Sequence, residues 1–279
     1  MLIKYAGGPM NTAFISGNTG SSGLTDAFYF APYTELLDTR LGERGWTLVH
    51  TQLSSSAAYW GAGSLDEDAE ELNLLARYLR QHHSSSGVIV MGHSTGCQSA
   101  VRYVQRYASD SSAARLLGIV LQAPVSDREH LVTRDAAHTA EQLAEAIEMM
   151  ERGEGEEILY RDSGTMRTPV TARRFHALAA RLGDDDMFSS DLTPEELKDI
   201  LGPLAAVPTL FLLSEKDASV PDHINLPALA QKFEAAAGPS AKAFIVPDAG
   251  HGLHGHEREC VDAVMALLDR LPRLLEGAS

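Results

Sequence analysis

The ten residues Val88-Ile89-Val90-Met91-Gly92-His93-Ser94-Thr95-Gly96-Cys97 decide how the rest of this chain reads. Val88 to Met91 form an apolar run of strand length, the kind that lies buried on both faces of a parallel sheet. The run gives way to G-x-S-x-G, after which Ala100, Val101 and Val104 continue an apolar face at helical spacing. A serine on a sharp strand-to-helix turn needs small neighbours, because strand and helix crowd together and the backbone is strained there. Gly92 and Gly96 supply that room. The turn lifts the Ser94 hydroxyl above the sheet and sets it at a helix N-terminus, whose partial positive charge favours a developing anion.

Working outward, the same alternation repeats. Compact apolar runs recur at 13–16, 47–50, 118–121, 209–213 and 243–246. Between them lie amphipathic stretches. Ser64-Leu65-Asp66-Glu67 is a capping box, and Leu65, Ala69, Leu72, Ala76 and Leu79 follow on one helical face. Cys260, Val261, Val264, Leu267, Leu268 and Leu271 form another. This predicts an α/β fold around a mostly parallel, doubly wound sheet. Strand signals fade between residues 126 and 204, where helices are expected to start at Thr139-Ala140-Glu141-Gln142 and Thr193-Pro194-Glu195-Glu196. We read 126–204 as a mainly helical cap or lid insertion, with 1–125 and 205–279 as the core. Asp184-Asp185-Asp186 reads as a solvated loop.

Composition removes whole classes of function. The 279 residues are 44% apolar and 22% charged, which suits a soluble globular protein that folds without cross-links. With 23 Lys and Arg against 38 Asp and Glu, the net charge of −15 argues against nucleic acid or an anionic membrane as partner. Cys97 and Cys260 sit far apart inside helical patterns, which excludes a disulfide framework and fits a reducing compartment. The stretch from Met1 to Gly8 lacks the apolar core of a leader, and no apolar run approaches the ~20 residues of a membrane span. The expected location is cytoplasmic.

A serine nucleophile needs a base, and the base needs an orienting acid. After such a turn the order along the chain is serine, acid, histidine. Asp217 lies a few residues past the run at 209–213, where sites in open α/β sheets collect, and is the expected acid; Glu215, Asp222 and Asp248 are weaker candidates. His251, with glycine on both sides just after the run at 243–246, is the expected base, and His254 could replace it. The spacing His251-x-x-His254-x-His256 invites a metal reading, but no carboxylate or cysteine set completes a site, so neither metal nor cofactor is expected. Oxyanion donors should be the backbone N–H of Thr95 and that of Asn18, in the glycine-rich stretch 17–23. His93 is read as a packed structural histidine, and Cys97 as packed beneath the turn.

These residues carry a resemblance. Gly92-His93-Ser94-Thr95-Gly96-Cys97-Gln98 resembles the α/β-hydrolase superfamily, and in particular the fungal DUF1749 group, which includes siderophore esterases of the fusarinine C hydrolase type. Leu53-Ser54-Ser55-Ser56-Ala57-Ala58-Tyr59-Trp60-Gly61 is similar to that group's segment after its second main strand. Gly183-Asp184-Asp185-Asp186-Met187-Phe188-Ser189-Ser190-Asp191-Leu192 is similar to its cap segment. The resemblance covers about residues 13 to 270. It implies an α/β-hydrolase fold, the triad Ser94, Asp217 and His251, and hydrolysis of a small-molecule ester, with a hydroxamate siderophore as the substrate the analogy suggests. Tyr59 and Trp60, with the insertion, are expected to select the substrate. A general carboxylesterase, lactonase or thioesterase remains an alternative, as does a catalytically silent binding protein of the same fold.

Overall fold

The structure, a computed structural model, describes residues 12–18, 31–160 and 169–276. In chain order its first half comprises β1 (Thr12–Asn18), α1 (Thr34–Gly42), β2 (Trp46–His50), α2 (Leu65–His83), β3 (Gly87–His93), α3 (Gly96–Tyr107) and β4 (Arg115–Gln122). Then follow α4 (Asp127–Arg134), α5 (Ala136–Glu151), β5 (Ile158–Tyr160), β6 (Val170–Thr171), α6 (Ala172–Ala179) and α7 (Pro194–Leu201). The chain closes with β7 (Thr209–Ser214), α8 (Leu226–Ala237), β8 (Ala241–Val246) and α9 (Glu257–Glu276). Six strands pair in the order β2-β1-β3-β4-β7-β8, each parallel to its neighbours.

Strand alternation sends successive side chains to opposite faces, and here both faces are apolar. Val88, Val90, Ile119, Leu121, Phe211 and Leu213 enter one core with α2, α3 and α8. Their sequence neighbours Ile89, Met91, Val120, Leu210 and Leu212 enter a second core with α1 and α9. Helices on both faces leave no side of the central strands wet, which is why these strands read as unbroken apolar runs. The capping box read at Ser64 forms with Glu67 and opens α2, and α7 starts where expected, with Thr193 and Glu196 forming a second box. Among the described residues, no helix is long and apolar enough to cross a membrane.

Chain order reverses between β1 and β3, because β2 lies on one side of β1 and β3 on the other. The crevice past the carboxyl ends of such strands is where open α/β sheets bind ligands. Between β4 and β7, neighbours in the sheet, the chain leaves it for the segment that holds α4 to α7. That segment divides by packing. Ala146, Met149, Val170, Phe175 and Leu178 form a satellite cluster around Trp60, whereas Met187, Phe188, Leu192, Leu197 and Leu201 join the core beneath the sheet. Phe188 meets Phe233 of α8 edge-on, with ring centroids 5.5 Å apart.

Two local expectations are corrected. The helix expected at Thr139 begins at Ala136: Asp135 caps it by accepting the His138 N–H, and the Thr139 hydroxyl donates to the Asp135 carbonyl at 2.7 Å. The aspartate triplet is not a solvated loop. Only Asp184 is exposed, while Asp185 and Asp186 are buried. Asp185 pairs with the buried Arg174 at 2.7 Å, and Asp186 accepts from Arg128 at 3.1 Å and from the Leu182 N–H at 2.8 Å. Buried carboxylates persist only where paired and hydrogen-bonded. Asp186 is bonded through both oxygens, whereas Asp185 is paired through Oδ2 and its buried Oδ1 has no hydrogen-bond partner among the described residues.

Candidate active site

Ser94 follows β3 on a turn with a backbone φ of +54°, the left-handed region that a residue with a Cβ enters only under constraint. The constraint is visible. Ser94 N–H donates to the Gln122 carbonyl at 3.0 Å, and Cys97 N–H returns to the Ser94 carbonyl at 2.8 Å. Position 92 must be glycine, since a Cβ there would stand 2.2 Å from the Gly96 carbonyl oxygen and 2.7 Å from the Cys97 nitrogen. Cys97 is buried beneath the turn, its Sγ 3.2 Å from the Gln122 carbonyl.

Two further loops reach the serine from β7 and β8. The turn after β7 holds the Asp217 side chain at 2% exposure, where Oδ1 accepts the Ser219 N–H at 2.9 Å. Its other oxygen, Oδ2, lies 2.8 Å from His251 Nδ1, and His251 Nε2 lies 2.9 Å from Ser94 Oγ. His251 retains 30% exposure, so a reactant can reach the hydroxyl–imidazole pair while the carboxylate behind it stays dry. The two loops brace each other through Lys216 N–H to the Ala249 carbonyl at 2.8 Å and Glu215 N–H to the Val246 carbonyl at 3.1 Å.

The other sequence candidates fall elsewhere. Glu215 accepts from the Asp248 N–H at 2.8 Å, and Asp248 pairs with Lys216 at 2.5 Å on the surface. Asp222 and His254 are exposed. Asn18 ends β1 in register with His93, one strand from the turn; the rest of the stretch expected to form its loop, 19–23, lies outside the described residues. Thr95 is buried just ahead of α3. Tyr59 and Trp60 part company. The Trp60 ring is buried in the satellite cluster with the Arg174 guanidinium 5.3 Å above it, and it faces no solvent. Tyr59 lines a cleft of about 220 Å³ with Glu67, Glu156, Arg173 and Asp184, a cleft that none of Ser94, Asp217 and His251 lines.

Several site residues carried no signal in the sequence. Gln122, fully buried at the end of β4, touches both the serine's turn and the histidine's loop. Asp127 opens α4, where Gln98 Nε2 donates to its Oδ2 at 2.8 Å. Burial and the nearby Asp185 push its carboxyl up to about 7, against the pull of Arg174 and His251. His93 packs as expected: its Nδ1 bonds Gln122 Oε1, and its ring lies 5.0 Å from that of His251. Burial and the facing His251 push His93 down to about 4, so it is neutral near pH 7. Among the described residues, no three His, Cys, Asp or Glu side chains converge in a way that could hold a metal ion.

A serine on a strained strand-to-helix turn, followed by an acid after β7 and a histidine after β8 of a six-stranded parallel sheet, belongs to an α/β-hydrolase fold. Siderophore hydrolase EstB from Aspergillus fumigatus superposes with a TM-score of 0.71 at 25% identity, over 94% of this chain and 91% of that one. The chain itself belongs to the family described as Protein of unknown function (DUF1749), whose model matches residues 18–275. A UPF0613 protein of Schizosaccharomyces pombe is 31% identical over 83% of this chain and 78% of its own length. Fusarinine C esterase sidJ of Aspergillus fumigatus is 28% identical over 85% of this chain and 82% of its own.

Proposed function

We propose that this protein is a serine hydrolase that cleaves carboxylic esters through an acyl-enzyme. The observation that carries the reading is the unbroken relay Asp217–His251–Ser94, with contacts of 2.8 and 2.9 Å, ending on a strained serine. His251 Nε2 takes the hydroxyl proton as Ser94 Oγ attacks the ester carbonyl. Asp217 holds the imidazole with its proton on Nδ1 and stabilises the imidazolium that forms. The N–H groups of Thr95 and Asn18 receive the oxyanion, each contributing on the order of 3 kcal/mol to lowering the barrier. His251 then returns the proton to the departing alcohol, and water repeats the sequence on the acyl-enzyme. No step calls on a metal or an organic cofactor.

The esterase and siderophore-hydrolase names of the family relatives support a hydroxamate siderophore ester of the fusarinine type as substrate. In this reading the part of segment 126–204 that packs around Trp60 is a cap that selects the substrate, with Tyr59 exposed beside it, while Met187 to Leu201 anchor the segment in the core. The two buried, unpaired thiols, Cys97 and Cys260, suit the reducing cytoplasm. Iron-loaded and iron-free siderophore esters incubated with wild type and Ser94→Ala, then read by mass spectrometry, test the proposal. Turnover should fall ~10⁴–10⁶-fold in the variant if the three residues act as a unit. Substantial hydrolysis by Ser94→Ala refutes the nucleophile assignment. Simple p-nitrophenyl esters turned over as well as siderophore esters refute the substrate assignment.

A further inference from the structure

Gln122 is the last residue of β4, fully buried between the strand that carries Ser94 and the strand that leads to Asp217. Its backbone carbonyl accepts the Ser94 N–H at 3.0 Å. Its side chain reaches the other partner, with Nε2 donating to the His251 carbonyl at 3.0 Å. A carbonyl can only accept, so the amide nitrogen must face His251 and the amide oxygen the opposite way. Oε1 meets two donors there, the Tyr33 hydroxyl at 3.1 Å and the Nδ1 of His93. His93 therefore carries its proton on Nδ1. As a neutral ring it sets no charge against an imidazolium 5.0 Å away.

We propose that Gln122 is a positioning residue that holds the Ser94 turn and the His251 loop at reacting distance by tying both to one point of the sheet edge. This inference rests on the serine-hydrolase reading above. His251 belongs to an irregular loop flanked by Gly250 and Gly252, where no strand or helix ladder fixes the backbone. A shift of about 1 Å in such a group can cost on the order of 10²-fold in rate. The Tyr33 and His93 donors keep the amide from turning over, which would set its oxygen against the His251 carbonyl.

The test compares wild type with Gln122→Met, which keeps the length and removes both polar ends, and with Gln122→Glu, which keeps the shape and removes the donor. Readouts are kcat and KM on p-nitrophenyl acetate, the rate of labelling by a fluorophosphonate probe, and circular dichroism. Folded Gln122→Met should lose ~10–100-fold in kcat and in labelling rate, with KM within about twofold. In Gln122→Glu an acceptor oxygen faces the His251 carbonyl, so kcat and labelling rate should fall likewise, with KM within about twofold. A side chain that only filled space would leave kcat in place in both shape-keeping variants. Rates within twofold of wild type in folded Gln122→Met overturn the inference. If Gln122→Met does not fold, rates of Gln122→Glu within twofold of wild type overturn it. Wild type that resists the probe sinks the serine reading and this inference together; labelled wild type with unaltered Gln122 variants sinks this one alone.

Discussion

Replacing Arg174 with Met removes the cation that makes the buried Asp185 tolerable. The guanidinium is 5% exposed, lies 2.7 Å from Asp185 Oδ2, donates to the Trp60 carbonyl at 3.2 Å and covers the Trp60 ring. Asp185 has no exposed surface, and burial already pushes its carboxyl above the ordinary value of 3.8 against the pull of Arg174. Breaking one side of such a pair costs about 3–5 kcal/mol. The orphaned carboxylate can escape part of that cost by taking a proton. Holding a group of ordinary pKa 3.8 neutral at pH 7.5 costs roughly 5 kcal/mol, against roughly 1.6 kcal/mol at pH 5. The sign follows from proton uptake: native Arg174→Met would bind a proton that its unfolded chain releases, so its stability falls as pH rises above about 4. Urea unfolding followed by tryptophan fluorescence at both pH values measures the effect, since Trp60 is one of only two tryptophans and sits against Arg174. Arg173→Met, which breaks the exposed pair with Glu156, is the control and should cost under about 1 kcal/mol. A destabilisation below about 1 kcal/mol in Arg174→Met at pH 7.5, or an equal one at pH 5, would refute the reasoning.

Gly92→Ala would place a methyl group 2.2 Å from the Gly96 carbonyl oxygen, and backbone atoms cannot swing aside, so the turn must shift. We expect a cost of about 1–3 kcal/mol in thermal unfolding and loss of probe labelling by about 100-fold or more; a fully active Gly92→Ala would contradict the packing. Asp217→Asn preserves the shape of the acid but can present a donor to Nδ1 and so favour the wrong tautomer of His251. Its kcat should fall by on the order of 10⁴ with folding unchanged, whereas a tenfold effect or less would mean that Asp217 only packs.

The sheet and the meeting of Asp217, His251 and Ser94 were legible in the sequence for a shared reason: each strand, and each loop that carries one of these residues, is marked by a short-range pattern. Apolar runs near 13, 47, 88, 118, 209 and 243 mark strands, and all six became strands of one parallel sheet; those at 88, 118 and 209 are buried on both faces, whereas edge strand β8 leaves Phe244 exposed. Gly92 and Gly96 mark the turn, and the structure brings Asp217 and His251 to Ser94 from the loops that this fold's chain order assigns to them. The capping box at Ser64 and the helix start at Thr193 are likewise four-residue signals and formed where they were read. Asp135 took the start of α5 away from Thr139 because two capping residues four apart compete, and the earlier one had a free helix end to close.

Only the tertiary structure decided the fate of the buried polar groups. Asp185 and Asp186 look like surface residues until Arg174 and Arg128 are brought to them, and Trp60 looks like a surface contact until Ala146, Met149, Val170, Phe175 and Leu178 pack around it. Gln122 is one polar residue after an apolar run, and its meaning comes from a carbonyl 129 residues away in sequence. A hydrogen bond or ion pair offsets the cost of burial only when its partner arrives, and which partner arrives is set by how the strands and helices assemble rather than by any neighbour along the chain.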